Sequence, residues 1–256
     1  MFLSVFDIFK IGIGPSSSHT MGPMVAAGRF RETLKAACRG TGRPHRLRAT
    51  LYGSLAYTGH RHGSDRAVIL GLGGLLPDTL DPEMAAFLER EIREAGHVTV
   101  GELGTVAFDP ETDLVFDYGA PLPGHPNGMI FEALDGNGRP LLRERYYSVG
   151  GGFVQSEEEL DPERNADDGD QDRTALVPYP FGTARQMLEM GRASGLSIAQ
   201  MKRQNEIAVR GEDPSDGIWR IWDVMNRSIE RGVATDGILP GGLKVRRRAR
   251  AIHADL

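Results

Sequence analysis

The run Gly14-Pro15-Ser16-Ser17-Ser18-His19-Thr20 gathers four hydroxyls and one imidazole where a predicted helix begins. The first N–H groups of a helix have no intrahelical acceptor, and the positive end of its macrodipole faces the same way. Such a place suits an anion, whether a substrate carboxylate or a phosphate. The plainer reading of these residues is a polar loop with one N-cap. Spacing alone leaves both open.

Two further clusters carry polar chemistry. Tyr52-Gly53-Ser54 is followed by Thr58-Gly59-His60-Arg61-His62-Gly63-Ser64-Asp65, and His125-Pro126-Asn127-Gly128-Met129 stands well downstream. His62 and Asp65 are three apart, so the carboxylate could orient the imidazole or cap a helix starting at Ser64; ordinary turn polarity is the plainer alternative. His60 and His62 are two potential metal ligands with no third close in sequence, which falls short of a zinc site. Gly150-Gly151-Gly152 offers a bulge or a close backbone approach. It does not follow the G-x-G-x-x-G or Walker pattern, so nucleotide binding has no support.

The elements that must position these residues follow from periodicity. Phe2, Val5, Phe6 and Phe9 predict a short amphipathic helix. A glycine-broken loop comes next, and Ser17, Ser18 or Thr20 is expected to cap a helix through Met24, Ala27, Phe30, Leu34 and Ala37 that stops near Gly40 and Gly42. RLRATLYGSLA alternates in places like a strand, residues 65–72 read as the start of a helix or strand, and residues 82–95 as an amphipathic helix. HVTVGEL, DLVFDY, MIFEAL and LLRERYYSVGG are strand-like, with DGNG at 135–138 as a hairpin turn. The run SEEELDPERNADDGDQDR is acidic and nearly without apolar residues, as a solvated linker should be. Beyond it, residues 183–192, 197–210 and 216–231 carry apolar stripes at helical intervals, and those stripes call for a partner surface.

Composition narrows the classes of partner. With 256 residues, 40% of them hydrophobic, the chain can fill one or two cores. Its formal net charge of −5 creates no field that gathers nucleic acid or an anionic membrane, so neither is an expected partner. The basic run Lys244 to Arg250 is read as a solvated helix face or a contact to an acidic surface, because no aromatic platform accompanies it. Cys38 is the one cysteine, so this chain forms no intrachain disulfide and no cysteine-built metal site. The opening residues include Asp7 and Lys10 and lack a basic leader or a span-length apolar run, which makes the cytoplasm the expected location.

In this order and at these distances, FDIFKIGIGPSSSHTMGPM, LYGSLAYTGHRHGSD, HPNGM, YYSVGGGFV, VPYPF, QNEIAV and GILPGGLKVRRRA resemble the iron–sulfur-dependent L-serine dehydratases, or L-serine ammonia-lyases. The resemblance implies an α+β fold. Residues 1–155 would form a mixed α/β domain similar to the allosteric substrate-binding domain of some phosphoglycerate dehydrogenases. Residues 156–182 would be an acidic linker, and residues 183–256 the incomplete start of a helical α domain.

It also implies a reaction, in which L-serine loses water and then ammonia to give pyruvate, with one open iron of a [4Fe–4S] cluster as Lewis acid. His19 and His62 would be catalytic, with Ser16, Ser17, Ser18, Thr20, Ser54 and Asn127 binding substrate. No metal ligand is expected in this chain, because the family's cluster cysteines lie beyond its last residue. The expectation is therefore a truncated or split enzyme, inactive without a cysteine-bearing domain. Its expected partners are L-serine and either a second copy of the chain or a complementary cluster-bearing chain. Two departures from the family are visible: His60 stands where relatives often have lysine, and the acidic linker is long. Pyridoxal phosphate is not expected, because none of Lys10, Lys35, Lys202 and Lys244 sits in a Schiff-base motif. The competing reading is a non-catalytic amino-acid-binding or regulatory module that senses serine through the same loop.

Overall fold

Alternating apolar residues in Arg46–Tyr52 make β1, with Leu47, Ala49 and Leu51 turned into the core. The computed structural model describes residues 2–38, 42–161, 176–239 and 244–256, which group into two compact units. One unit holds residues 11–161 with 238–239 and 244–245; the other holds residues 2–10, 176–237 and 246–256. Most of the acidic run expected as a linker, residues 162–175, lies outside the described residues, as does part of the loop near Gly40.

The first unit is built on a seven-stranded mixed sheet. β1 pairs antiparallel with β5 (Gly128–Leu134) on one side. Its other side meets β3 (Thr105–Ala107) and then β4 (Leu114–Asp117), both parallel. β2 (His97–Thr99) adds to β3, while β6 (Pro140–Gly150) and β7 (Phe153–Ser156) extend from β5, all antiparallel. The expected hairpin forms at 135–139, where Asp135 Oδ1 accepts from the N–H groups of Asn137 and Arg139. The α+β class is thus observed, with parallel and antiparallel pairs in one sheet.

Helices α2 (Gly22–Ala37), α3 (Ser54–His62), α4 (Ser64–Leu72) and α5 (Pro82–Ala95) belong to this unit. Phe30 of α2 stacks on Phe131 of β5 with centroids 5.4 Å apart, and Phe131 meets Tyr146 of β6 edge-on at 6.0 Å. That aromatic column anchors a core shared by Leu34, Leu51, Val68, Ile69 and Phe108. Helices α2 and α4 approach so closely that a Cβ on Gly71 would lie 2.4 Å from the Met24 carbonyl oxygen. The strand expected to run on through Gly53 and Ser54 ends at Tyr52, and residues 65–72 resolve as helix. HVTVGEL is strand only through Thr99 and then tightens into a 3₁₀ turn at Gly101–Leu103.

The second unit is helical. α1 (Val5–Ile8) carries a capping box of Ser4 and Asp7, and two further one-turn helices, α6 (Pro110–Asp113) and α7 (Glu157–Leu160), belong to the sheet unit. α8 (Ala184–Ser194), α9 (Ile198–Arg210), α10 (Ser215–Ala234) and α11 (Ala249–Ala254) follow. Among the described residues Val177 and Met201 are its buried apolar side chains, while Ile218, Trp219, Trp222, Met225 and Ile229 leave an exposed stripe along α10. Among the described residues no helix is long and apolar enough to cross a membrane.

Candidate functional site

Ser16 fixes the shape of the hydroxyl-rich segment. Its Oγ accepts from the His19 N–H at 3.2 Å, and its carbonyl accepts from the N–H groups of Thr20 and Met21. Ser17–Met21 then winds as a π-helical turn into α2. The cap is therefore Ser16, in place of the expected Ser17, Ser18 or Thr20, and it caps the π turn rather than α2. The reason lies at Pro23, which has no N–H to give the carbonyl four residues before it, so the α-helical ladder is interrupted at the turn.

The two candidate catalytic histidines come together. Their ring centroids are 5.0 Å apart at a tilt of 47°. His19 lies between two hydroxyls, Nδ1 at 2.9 Å from Ser18 Oγ and Nε2 at 3.0 Å from Ser54 Oγ. Hydroxyls donate or accept, so either tautomer of His19 is accommodated. His62 is more constrained, because its Nδ1 lies 2.9 Å from the Thr58 carbonyl oxygen, which only accepts. In the neutral ring the proton is therefore on Nδ1, and Nε2 keeps its lone pair. Burial pushes the His19 imidazolium below the usual histidine range, the nearby His62 adds to the effect, and a hydrogen bond with Ser54 partly opposes it.

Ser54 links this pair to the HPNGM loop. Its N–H donates to the Pro126 carbonyl at 2.9 Å. The preceding Gly53 has φ +52°, and a Cβ there would stand 2.4 Å from that same oxygen, so the approach needs glycine. Asn127 follows, with its Nδ2 donating to the Ser148 carbonyl at 3.1 Å and its own carbonyl accepting from the Ser148 N–H at 3.0 Å. Ser148 in turn abuts Gly22 at the start of α2, where a Cβ would fall 2.0 Å from Ser148 Oγ. The path closes on the turn where it began. Ser16, Ser18, His19, Ser54, His62 and Asn127 lie along it or beside it.

The other candidates are placed differently. Ser17 is exposed on the turn, while Thr20 is buried and donates its hydroxyl to the His62 carbonyl at 2.7 Å. Asp65 neither orients His62 nor caps α4: its Oδ2 receives Arg93 Nη2 at 3.0 Å, and α4 has no side-chain cap. The arginine wins because it offers a full charge within reach. His60 stacks on Phe116, centroids 3.7 Å apart. Sequence reasoning gave no site role to Ser64, read only as a helix start, or to Ser148, both fully buried. Serines with no local partner in sequence give no pattern to read, although Pro23 did signal that a carbonyl nearby would need another donor.

A [4Fe–4S] cluster does not fit the residues present. Cys38, the one cysteine, is buried at the end of α2, and burial pushes its thiol pKa up, away from the thiolate that a metal requires. Among the described residues no three His, Cys, Asp or Glu side chains gather as a metal site.

Comparison with known proteins bears on the family of the chain. The chain is 44% identical over 250 residues to an L-serine dehydratase of Streptomyces coelicolor, covering 97% of this chain and 54% of that protein. It is 41% identical over 256 residues to L-serine dehydratase TdcG of Escherichia coli, covering 99% and 54%, and 38% identical to an L-serine dehydratase of Haemophilus influenzae, again covering 99% and 54%. The chain thus spans about half the length of the curated relatives it matches. Residues 4–159 match the serine dehydratase beta chain profile, and the chain belongs to that family.

Proposed function

We propose that this chain is the substrate-holding part of an L-serine ammonia-lyase. In the overall reaction the Cα–H and Cβ–OH bonds of L-serine break and a Cα=Cβ bond forms, releasing water and 2-aminoacrylate. That enamine tautomerises to an imine, and water hydrolyses it to pyruvate and ammonia. The observation that carries the reading is the approach of His62 to His19, whose two ring nitrogens lie on the Ser18 and Ser54 hydroxyls.

Each residue has a distinct task in this reading. The hydroxyls of Ser16, Ser17, Ser18 and Ser54 offer donors to the substrate carboxylate. Asn127 commits an Nδ2 hydrogen to Ser148, and in this reading its Oδ1 accepts from the substrate ammonium. His62 Nε2, held as the lone-pair nitrogen by Thr58, removes the Cα proton. His19, bridged by Ser18 and Ser54, orients the hydroxyls that grip the carboxylate. Thr20 acts behind them, through the His62 backbone.

The [4Fe–4S] cluster that the family implies would be held by cysteines outside these 256 residues. The stripe of Ile218, Trp219, Trp222, Met225 and Ile229 on α10 is the apolar surface that such a cluster-bearing part would cover, with a second copy of this chain as the rival occupant. The reading places the protein in the cytoplasm, where a lone thiol such as Cys38 stays reduced.

The test is anaerobic co-expression of this chain with the remaining half of the Streptomyces coelicolor relative. Pyruvate should form from L-serine only when both parts are present, and His62→Gln should slow it by about 10²–10⁴-fold. A complex that forms, carries its cluster and yet makes no pyruvate would overturn the proposal. If this chain alone then bound L-serine by calorimetry, a sensing module would take its place.

A further inference from the structure

His19 and His62 belong to different segments, yet their backbones are tied by an exchange of hydroxyl bonds. Thr20, one residue after His19, donates its Oγ1 to the His62 carbonyl at 2.7 Å. Ser64, two residues after His62, donates its Oγ to the His19 carbonyl at 2.5 Å. Each histidine segment therefore supplies the donor for the other's carbonyl. Both hydroxyls are shut away from water, with Ser64 0% and Thr20 2% exposed. Thr20 Oγ1 also accepts from the Ser16 N–H at 3.2 Å, which ties the exchange to the cap of the turn.

The two carbonyls need outside donors for different reasons. His62 is the last residue of α3, and the last carbonyls of a helix have no intrahelical partner. His19 stands four residues before Pro23, whose nitrogen carries no hydrogen. A buried carbonyl without a donor is costly, and burial strengthens the bond that satisfies it. The hydroxyls thus act on the positions of the two main chains, and the rings follow.

We infer that Thr20 and Ser64 are positioning residues whose reciprocal clamp sets the spacing of the His19 and His62 rings. This rests on the reading of those histidines as the working pair, but its primary test does not involve substrate. A failure of L-serine binding therefore counts against the proposed function and leaves the clamp standing.

In the unaltered 256-residue chain, NMR should show the hydroxyl protons of Thr20 and Ser64 exchanging slowly with water, with cross-relaxation between the two imidazoles. Hydroxyl protons that exchange freely would overturn the inference, whatever the variants do. Ser64→Ala should lose the cross-relaxation between the rings, and Ser64→Thr, which keeps the hydroxyl, should retain it. In the assembled enzyme Ser64→Ala should lower kcat at least about tenfold with KM within about twofold, and Ser64→Thr should restore most of it. A folded Ser64→Ala chain with ring contacts like the parent would also refute the clamp. If that variant does not fold, the hydroxyl exchange of the parent chain decides.

Discussion

Gly22 and Ser148 compete for one small volume: a Cβ on Gly22 would stand 2.0 Å from Ser148 Oγ and 2.7 Å from its Cβ. Ser148 Oγ is also buried without a hydrogen-bond partner among the described residues. The start of α2 is thereby pressed onto β6 beside the backbone that holds Asn127. Gly22→Ala should cost about 1–3 kcal/mol by overpacking, and Ser148→Gly in the same chain should recover most of it. Ser148→Ala alone removes an unsatisfied hydroxyl and should leave stability unchanged or raised by up to about 1 kcal/mol. Urea unfolding of the parent, Gly22→Ala, Ser148→Gly and the double variant, with Ser148→Ala beside them, checks this; purely additive losses around the Gly22/Ser148→Gly cycle would show that the two sites do not share the space.

The two histidines should fail in different ways. His62→Gln removes the proposed base and should lower kcat of the assembled enzyme by about 10²–10⁴-fold with little change in KM. His19→Ala removes the link between Ser18 and Ser54, loosening the groups that grip the carboxylate, and should raise KM and weaken L-serine binding in a calorimetric titration. Equal losses of kcat with unchanged KM in both variants would contradict the division of roles.

His19 gives the folded state a pH dependence of known sign. Its folded pKa lies below the ordinary value of about 6.5, mainly through burial and then through His62. Below that value the unfolded chain binds the proton first, so stability is lost as pH falls from about 6.5 through the lowered folded value. Above about 6.5 both states hold a neutral ring and His19 contributes no slope. Denaturant midpoints measured between pH 8 and pH 5 should therefore fall less steeply on the acid side in His19→Gln than in the parent. Parallel curves would remove His19 as the cause.

Local patterns were legible where the structure is local. The stripes over 197–210 and 216–231 become α9 and α10, and Asp135 makes its hairpin turn from neighbours a few residues away. The strand reading over RLRATLYGSLA ran too far because Gly53 breaks it with a positive φ and packs, without a Cβ, against the carbonyl of Pro126, 73 positions on in the chain, which alternation cannot reveal. At the site, spacing left Ser16, His19, His62 and Asn127 in separate polar clusters, and only the family resemblance joined them as a set. The inward turn of Thr20 was not legible, since its partner is the His62 carbonyl, and Ser64, read only as the start of a helix, hid its bond to the His19 carbonyl for the same reason. Asp65 looked like a partner for His62 only in sequence; Arg93 arrives from another helix.

Glu206 closes the helical unit on its own first residues, and that latch is open to test. Its Oε2 accepts from Ser4 Oγ and its Oε1 from the Val5 N–H, each at 2.7 Å, with the residue only 2% exposed. The neighbouring Lys202 adds a bond from Nζ to the Leu3 carbonyl at 2.8 Å and lies over the Phe2 ring. Asn205 meanwhile holds both backbone groups of Tyr179. Glu206→Ala would leave two donors at the start of α1 without acceptors, a cost of about 2 kcal/mol. It should also free residues 2–9 enough to speed tryptic cleavage after Lys10. Glu206→Gln keeps the shape and one acceptor oxygen, so its loss should be smaller. Unchanged melting and cleavage in Glu206→Ala would mean that apolar packing of Phe2 and Phe6, rather than the carboxyl group, holds the segment in place.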